Sequence, residues 1–455
     1  MKDHLIIIGG TAAGVKAASK ARRLDPELKI SIYTSNKHIS YSACGIPYFI
    51  EGIIKDPNRL LIRSSEVFKE KFNINVYKEH FVRKISPSDK SVEVENLQNG
   101  EILRDRYTKL LIASGARAFL PDIEGVKLKN IFTLRTFEDG IKIEKAVSGA
   151  KKAVIIGAGY IGLEMAEAFI NRGLKTTIIE QESQILPVFD SEIASIVQKY
   201  LEEEKNIKIY LNKKIRKFIS KDSVSVSGVE LLDGEVIDGD IILVSIGVRP
   251  NTEFLAGSGV ETGILGAIRV NEKMQSSVED IYAAGDCAES THIISKKPVL
   301  IPLGSTANKH GRVAAMNICG KKESFNGVLG SHVSRVFDFN LSGTGLSEKS
   351  ALKEGFDIKS VLITNKDKSG YYPGAEDITI KMIAENITGK LLGAQVIGKG
   401  NVDKEINIIA TALTAGLTVD KLVDVDITYA PPYSPAIDSV IIAAELLEEK
   451  VSPSK

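Results

Sequence analysis

Short apolar runs along this chain end abruptly in glycine, and apolar residues then recur at helical spacing. The design occurs first as LIIIGGTAAGVKAASKARRL from Leu5 and again as AVIIGAGYIGLEMAEAFINRG from Ala153. A β-branched run that enters a glycine turn without a spacer, followed by a 3.6-residue period, predicts strand, tight turn and helix. A further strand follows each helix, KISIYT ending at Thr34 and KTTIIE ending at Glu180, which completes two βαβ units. Two more buried-strand runs are predicted, IILVSIGVRPN ending at Asn251 and IYAAGDCAE ending at Glu289. Beyond about residue 330 the pattern alternates, as in DITIKMIA and LLGAQVIG, predicting an antiparallel sheet with helices. The tail after Glu449 is expected to fray.

The glycines carry the first chemistry. A dinucleotide pyrophosphate needs backbone N–H groups and a helix N-terminus close to it, which only a glycine turn allows. Gly157, Gly159 and Gly162 form the full GxGxxG pattern. Glu180 closes the next strand, where an acid accepts from a ribose 2′-hydroxyl and repels a 2′-phosphate, so NADH is favoured over NADPH. The first copy has Gly9 and Gly14 with Thr11 between them, and its strand ends in Thr34 rather than an acid. Two nucleotide folds imply two dinucleotides, and a tightly held flavin beside an exchangeable nicotinamide is the economical pair. In YAAGDCAE, Gly285 and Asp286 suit a flavin's ribityl hydroxyls, and LLIASGARA places Ser114 and Gly115 in another small-residue turn.

Composition excludes several classes. Of 455 residues, 59 are Lys or Arg and 58 Asp or Glu, a net charge of +1 that offers no field for nucleic acid or an anionic membrane. No apolar run approaches the roughly 18 residues that span a bilayer, and the N-terminal run enters glycines instead of a cleavage site, so the chain is expected to be cytoplasmic. Cys44, Cys287 and Cys319 lie far apart without metal-ligand or CxxC spacing, so no metal site is expected. Any reactive cysteine acts alone. Cys44, in ISYSACGIPYFIEG, precedes a stretch that can begin a helix, and a helix dipole there would lower its pKa. Cys287 and Cys319 are read as structural.

Together these residues resemble the single-cysteine branch of the flavin and pyridine-nucleotide-dependent disulfide reductases. The chain is most similar there to the coenzyme A disulfide reductases and related NAD(P)H sulfur or persulfide reductases. Ser40-x-x-x-Cys44-Gly45-x-Pro47-Tyr48 and the pair YYPGAE and YAPPYSP carry the likeness. The resemblance implies an α/β chain with two Rossmann-like domains, the FAD domain interrupted by the NAD domain, and a C-terminal α+β dimerisation domain. The expected division is 1–118 and 249–328 for FAD, 119–248 for NAD(P)H and 329–455 for dimerisation. It also implies a homodimer in which Tyr371 and Tyr429 reach the partner's cysteine.

By the same resemblance Arg135 and Gly247 join the cofactor contacts, and Tyr160 gates the nicotinamide face. Lys20, Arg23, Ser40, Asn308 and Arg312 are candidates to hold coenzyme A, with Arg22 and Lys309 equally available. NAD(P)H would reduce FAD, and a mixed disulfide of Cys44 with coenzyme A would then be reduced, so a small thiol, disulfide or persulfide is the expected substrate. NADH oxidases and peroxidases of the branch carry a histidine where Ala12 stands here. Ala12 cannot supply its acid or base, which ranks a sulfenic-acid cycle second and a flavin redox sensor with Cys44 as switch third.

Overall fold

The computed structural model describes residues 3–452. A first parallel sheet holds five strands in the spatial order Ile281–Ala283, Lys109–Ile112, His4–Ile8, Lys29–Thr34 and Asn75–Lys78. His4–Ile8 is buried along its whole length, so both faces of its sheet are covered, as a parallel sheet requires. Alternation divides its side chains. Leu5 and Ile7 pack with helices Ala12–Leu24 and Gly304–Ile318, while Ile6 and Ile8 pack against Val82, Val92 and Val94 of a small antiparallel sheet.

A second parallel sheet repeats the arrangement, in the order Lys208–Tyr210, Lys175–Ile179, Lys152–Ile156, Ile241–Val244 and Ile131–Phe132. The run expected to reach Asn251 as one strand is broken. It stops at Val244, turns through Gly247 at φ +100°, and resumes as Val248–Pro250. The run Lys109–Ile112 likewise turns through Gly115 at φ +68° and resumes as Ala116–Ala118. These two second pieces pair antiparallel, so the chain enters and leaves the second unit along one two-stranded ribbon.

The third sheet is antiparallel, in the order His332–Val336, Phe339–Gly345, Leu391–Gly398, Asp377–Glu385 and Ile358–Lys366. Helices Val402–Ala415 and Ser439–Glu448 cover one face. Val336, Leu341 and Ile397 join the core of the second unit instead, so the two are packed together. Lys381 crosses the same boundary, 3% exposed, with its ammonium 2.9 Å from Glu192 and 2.8 Å from Glu348. A lysine so buried is held only by its acids. The tail departs from expectation at its start: Lys450 and Val451 donate to Leu447, and Ser452 to Asn386. Residues 453–455 lie outside the described residues. No helix among the described residues is long and apolar enough to cross a membrane.

Candidate functional site

The two glycine turns are built alike. A Cβ on Gly14 would stand 2.0 Å from the carbonyl oxygen of Gly9, and one on Gly162 would stand 2.0 Å from that of Gly157, so each helix starts pressed against its own turn. Gly159 caps the helix Tyr160–Asn171 and a Cβ there would meet nothing within 4 Å, which leaves its backbone open to a pyrophosphate. In the first copy Thr11 occupies the cap and its hydroxyl makes no capping bond, so helix Ala12–Leu24 also presents unsatisfied N–H groups. The residues present therefore fit a dinucleotide at both turns.

Glu180 stands just past its strand, buried, with one carboxylate oxygen accepting from the Ala158 N–H at 2.7 Å and the other from Glu182 at 3.0 Å. Its position is fixed by the turn it serves. Thr34 is also buried, but its hydroxyl accepts only a 3.3 Å bond from Asn36, so this strand end offers no charge.

Cys44 is the exposed cysteine; Cys287 is buried and Cys319 half-buried. Instead of starting a helix, it lies within a single 3₁₀ turn, Ala43–Gly45, ahead of the six-residue helix Ile46–Glu51. Its thiol is raised above the ordinary pKa, first by loss of water and then by the Glu164 and Asp286 carboxylates, with Arg135 opposing. This corrects the expectation of a depressed pKa. Six residues give little dipole, and loss of water together with two nearby anions outweighs it.

Arg135 donates to Asp286 at 2.8 Å, which joins the start of helix Phe137–Val147 to the GDCA turn. Gly285, at φ +82°, donates to Nδ1 of His310 at 3.3 Å, and Nε2 of His310 lies 3.1 Å from the Ser290 hydroxyl. Burial lowers His310 to about 4, so the ring is neutral at pH 7. The Ser114 hydroxyl is engaged elsewhere, donating to the carbonyl of Asn251 at 2.7 Å, while Gly115 and Gly247 form the turns described above.

The coenzyme A candidates do not gather into one cluster. A Cβ on Gly311 would stand 2.3 Å from the Ala13 carbonyl, and the Cys319 thiol lies 3.9 Å from that of Ala21, so the two helices run side by side in the same direction. Asn308 is thus some 16 Å along the pair from Cys319, the end where Lys20 and Arg23 sit. Arg23 and Lys309 are exposed and Lys20 is half-buried. Arg22 is not available: its guanidinium donates to the carbonyls of Phe72, Leu28 and Asn73. Arg312 is paired with Glu323 at 2.6 Å, and Asn308 donates to Gly304. Ser40 is buried with its backbone N–H on Gly10, beside the first glycine turn.

Tyr371 and Tyr429 lie on surface loops, 78% and 50% exposed. The loops are tied to each other, Ser369 donating to the carbonyls of Pro431 and Ser434. The residues that pattern did not single out are Glu164 and Ser334. Glu164 follows Tyr160 by one helical turn, a spacing that places both on one face and would have found it. Its carboxylate accepts from the Ser334 hydroxyl at 2.8 Å, and burial raises its pKa. Ser334 had no local signal.

Comparison with known proteins agrees with this geometry. Residues 3–311 match the family described as pyridine nucleotide-disulphide oxidoreductase, and residues 333–441 match that family's dimerisation domain. The chain is 37% identical to an NAD(P)H sulfur oxidoreductase (CoA-dependent) of Pyrococcus furiosus, over 98% of this chain and 99% of that one. It is 38% identical to an NADH oxidase of Methanocaldococcus jannaschii, over 98% and 99%. The structure of an NAD-dependent persulfide reductase from A. fulgidus superposes with a TM-score of 0.95 at 38% identity, covering 98% of this chain and 83% of that chain.

Proposed function

Because the chain belongs to the pyridine nucleotide-disulphide oxidoreductases, we propose that it is an FAD-dependent enzyme that uses NAD(P)H to reduce a coenzyme A disulfide or persulfide through Cys44. One observation carries this reading. The exposed cysteine of the chain stands among Glu164, Asp286 and Arg135, on elements that also carry or adjoin both glycine turns.

In this reading residues 1–118 and 249–328 hold FAD, through Gly9, Gly14, Thr34, Gly115, Gly285 and Asp286, with Arg135 reaching the cofactor from the second unit. Residues 119–248 hold NAD(P)H, through Gly157, Gly159, Gly162 and Glu180. Residues 329–455 pair two copies of the chain. Bound FAD supplies a ring able to accept hydride from NAD(P)H and pass electrons on to a disulfide. Cys44 does the sulfur chemistry: its thiolate attacks one sulfur of the substrate, an S–S bond forms to Cys44, and the other thiolate leaves. Tyr371 and Tyr429 of a second copy supply hydroxyls that hydrogen-bond the leaving thiolate or position the mixed disulfide. Arg135 offsets the anions around Cys44 while the thiolate exists. Among the described residues no carboxylate forms an ion pair with Lys20 or Arg23, which suit the phosphates of coenzyme A.

The near-zero net charge supports a small-molecule substrate rather than nucleic acid or a membrane, and a cytoplasmic setting is part of the same proposal. Intact mass of the protein after exposure to coenzyme A disulfide, under denaturing non-reducing conditions, tests the reading. The expected result is an adduct of coenzyme A mass on the Cys44 peptide that dithiothreitol removes. No adduct, together with oxygen uptake matching NADH consumption, overturns it in favour of an oxidase.

A further inference from the structure

Tyr160 and His332 share an unsolved problem. The Tyr160 hydroxyl is buried without a hydrogen-bond partner, and so is Nε2 of His332. Their ring centroids are 5.0 Å apart with the planes tilted by 58°, and Phe189 closes the third side, 5.5 Å from His332 and 6.1 Å from Tyr160. Two buried polar atoms left unpaired beside each other are costly, and natural structures avoid the arrangement.

The two atoms are chemically complementary. Nδ1 of His332 lies 2.8 Å from the Gly330 carbonyl, which can only accept, so the proton sits on Nδ1 and Nε2 carries a lone pair. A phenol donates. Burial also holds His332 below its ordinary pKa, which keeps the ring neutral. The neighbouring strand makes room for it: a Cβ on Gly343 would stand 2.7 Å from Cε1 and 2.9 Å from Nε2 of His332.

Tyr160 is the first residue of the helix that follows the open Gly159, so its side chain stands at the mouth of the second glycine turn. His332 belongs to the first strand of the antiparallel sheet, in another unit of the fold. We propose that His332 accepts a hydrogen bond from the Tyr160 phenol when a nicotinamide dinucleotide occupies that turn, and so acts as a positioning residue that holds the phenol ring clear of the nicotinamide. This rests on the reading that the dinucleotide binds over residues 157–162. In the tilted arrangement both polar atoms are unpaired; turning the phenol pairs them and moves the ring. The dinucleotide binds the turned state better, which is all that a shift between two states requires.

A double-mutant cycle on the FAD-loaded protein tests this, with Tyr160→Phe, His332→Phe and the pair. The readouts are the NAD⁺ dissociation constant by calorimetry, the rate of flavin reduction by NADH, the KM for disulfide and the melting temperature. Each single variant is expected to weaken NAD⁺ binding about threefold or more, and the double variant to be no worse than either. The KM for disulfide stays near that of the unaltered protein, while His332→Phe, which also gives up the Nδ1 bond to Gly330, melts somewhat lower. His332→Gln, whose amide oxygen accepts, restores part of the binding. If His332→Phe fails to fold, His332→Met replaces it in the cycle. Additive losses, or His332→Phe binding NAD⁺ as tightly as the unaltered protein, overturn the role of His332. Failure of the unaltered protein to bind NAD⁺ at all overturns the dinucleotide reading beneath it.

Discussion

Arg135 and Asp286 are 151 positions apart in sequence and 2.8 Å apart in space, and each side chain is at most a quarter exposed. The pair joins the helix that begins the second unit to the glycine turn that returns to the first sheet. Arg135 is also the cation that opposes the two carboxylates acting on Cys44. Arg135→Met should therefore raise the Cys44 pKa further. With less thiolate present, alkylation of the reduced protein by iodoacetamide at pH 7 should slow. An unchanged pH profile of alkylation would detach Arg135 from the thiol.

Cys44→Ser should retain FAD, because none of the residues proposed to hold it is altered, while disulfide turnover falls by about three orders of magnitude or more. Visible absorbance and an NADH-coupled assay measure the two separately. Undiminished turnover would remove Cys44 from the mechanism.

Glu180 bonds the Ala158 and Glu182 N–H groups, and in the proposed reading its charge meets the nicotinamide dinucleotide's ribose. Glu180→Gln keeps an acceptor but removes the charge, so NADPH should gain on NADH by roughly tenfold in kcat/KM. Glu180→Ala also leaves the buried Ala158 N–H unpaired, which costs about 1–3 kcal/mol and should appear as a lower melting temperature as well.

His310 is held to about 4 by burial, against 6.5 in the unfolded chain. Below pH 6.5 the unfolded state takes up a proton that the folded state refuses, so stability falls as the pH drops and levels off near pH 4. At the full shift this amounts to roughly 3 kcal/mol. Above pH 6.5 it contributes nothing. His310→Gln should flatten the decline in urea midpoint between pH 6.5 and 4; an identical decline in both proteins would place the acid sensitivity elsewhere. His4, His292 and His332 are shifted in the same direction, so the difference between the two proteins is the informative quantity.

What the sequence determined by itself is whatever depends on neighbours along the chain. The two glycine turns, the strands before them, Glu180 at its strand end and the alternating C-terminal sheet all follow from local period and from contacts that no side chain permits. Cys44 could be singled out from the sequence as the candidate reactive cysteine because its motif is contiguous, and it is the exposed one of the three. The fate of the charged groups was not legible. Arg22 looked like a free base on a helix face, yet five carbonyls, those of Asp25, Pro26, Leu28, Phe72 and Asn73, accept from it. Arg312 met Glu323, and the Cys44 pKa was raised by loss of water and by Glu164 and Asp286, far away in sequence. Ser334 reaches Glu164 across 170 positions, and His332 reaches Tyr160 across a similar gap. Periodicity reports which face of an element is buried, but not which other element will cover it. Electrostatics and hydrogen bonding act over a few ångströms of space, and only the packing of three sheets decides which residues share that space.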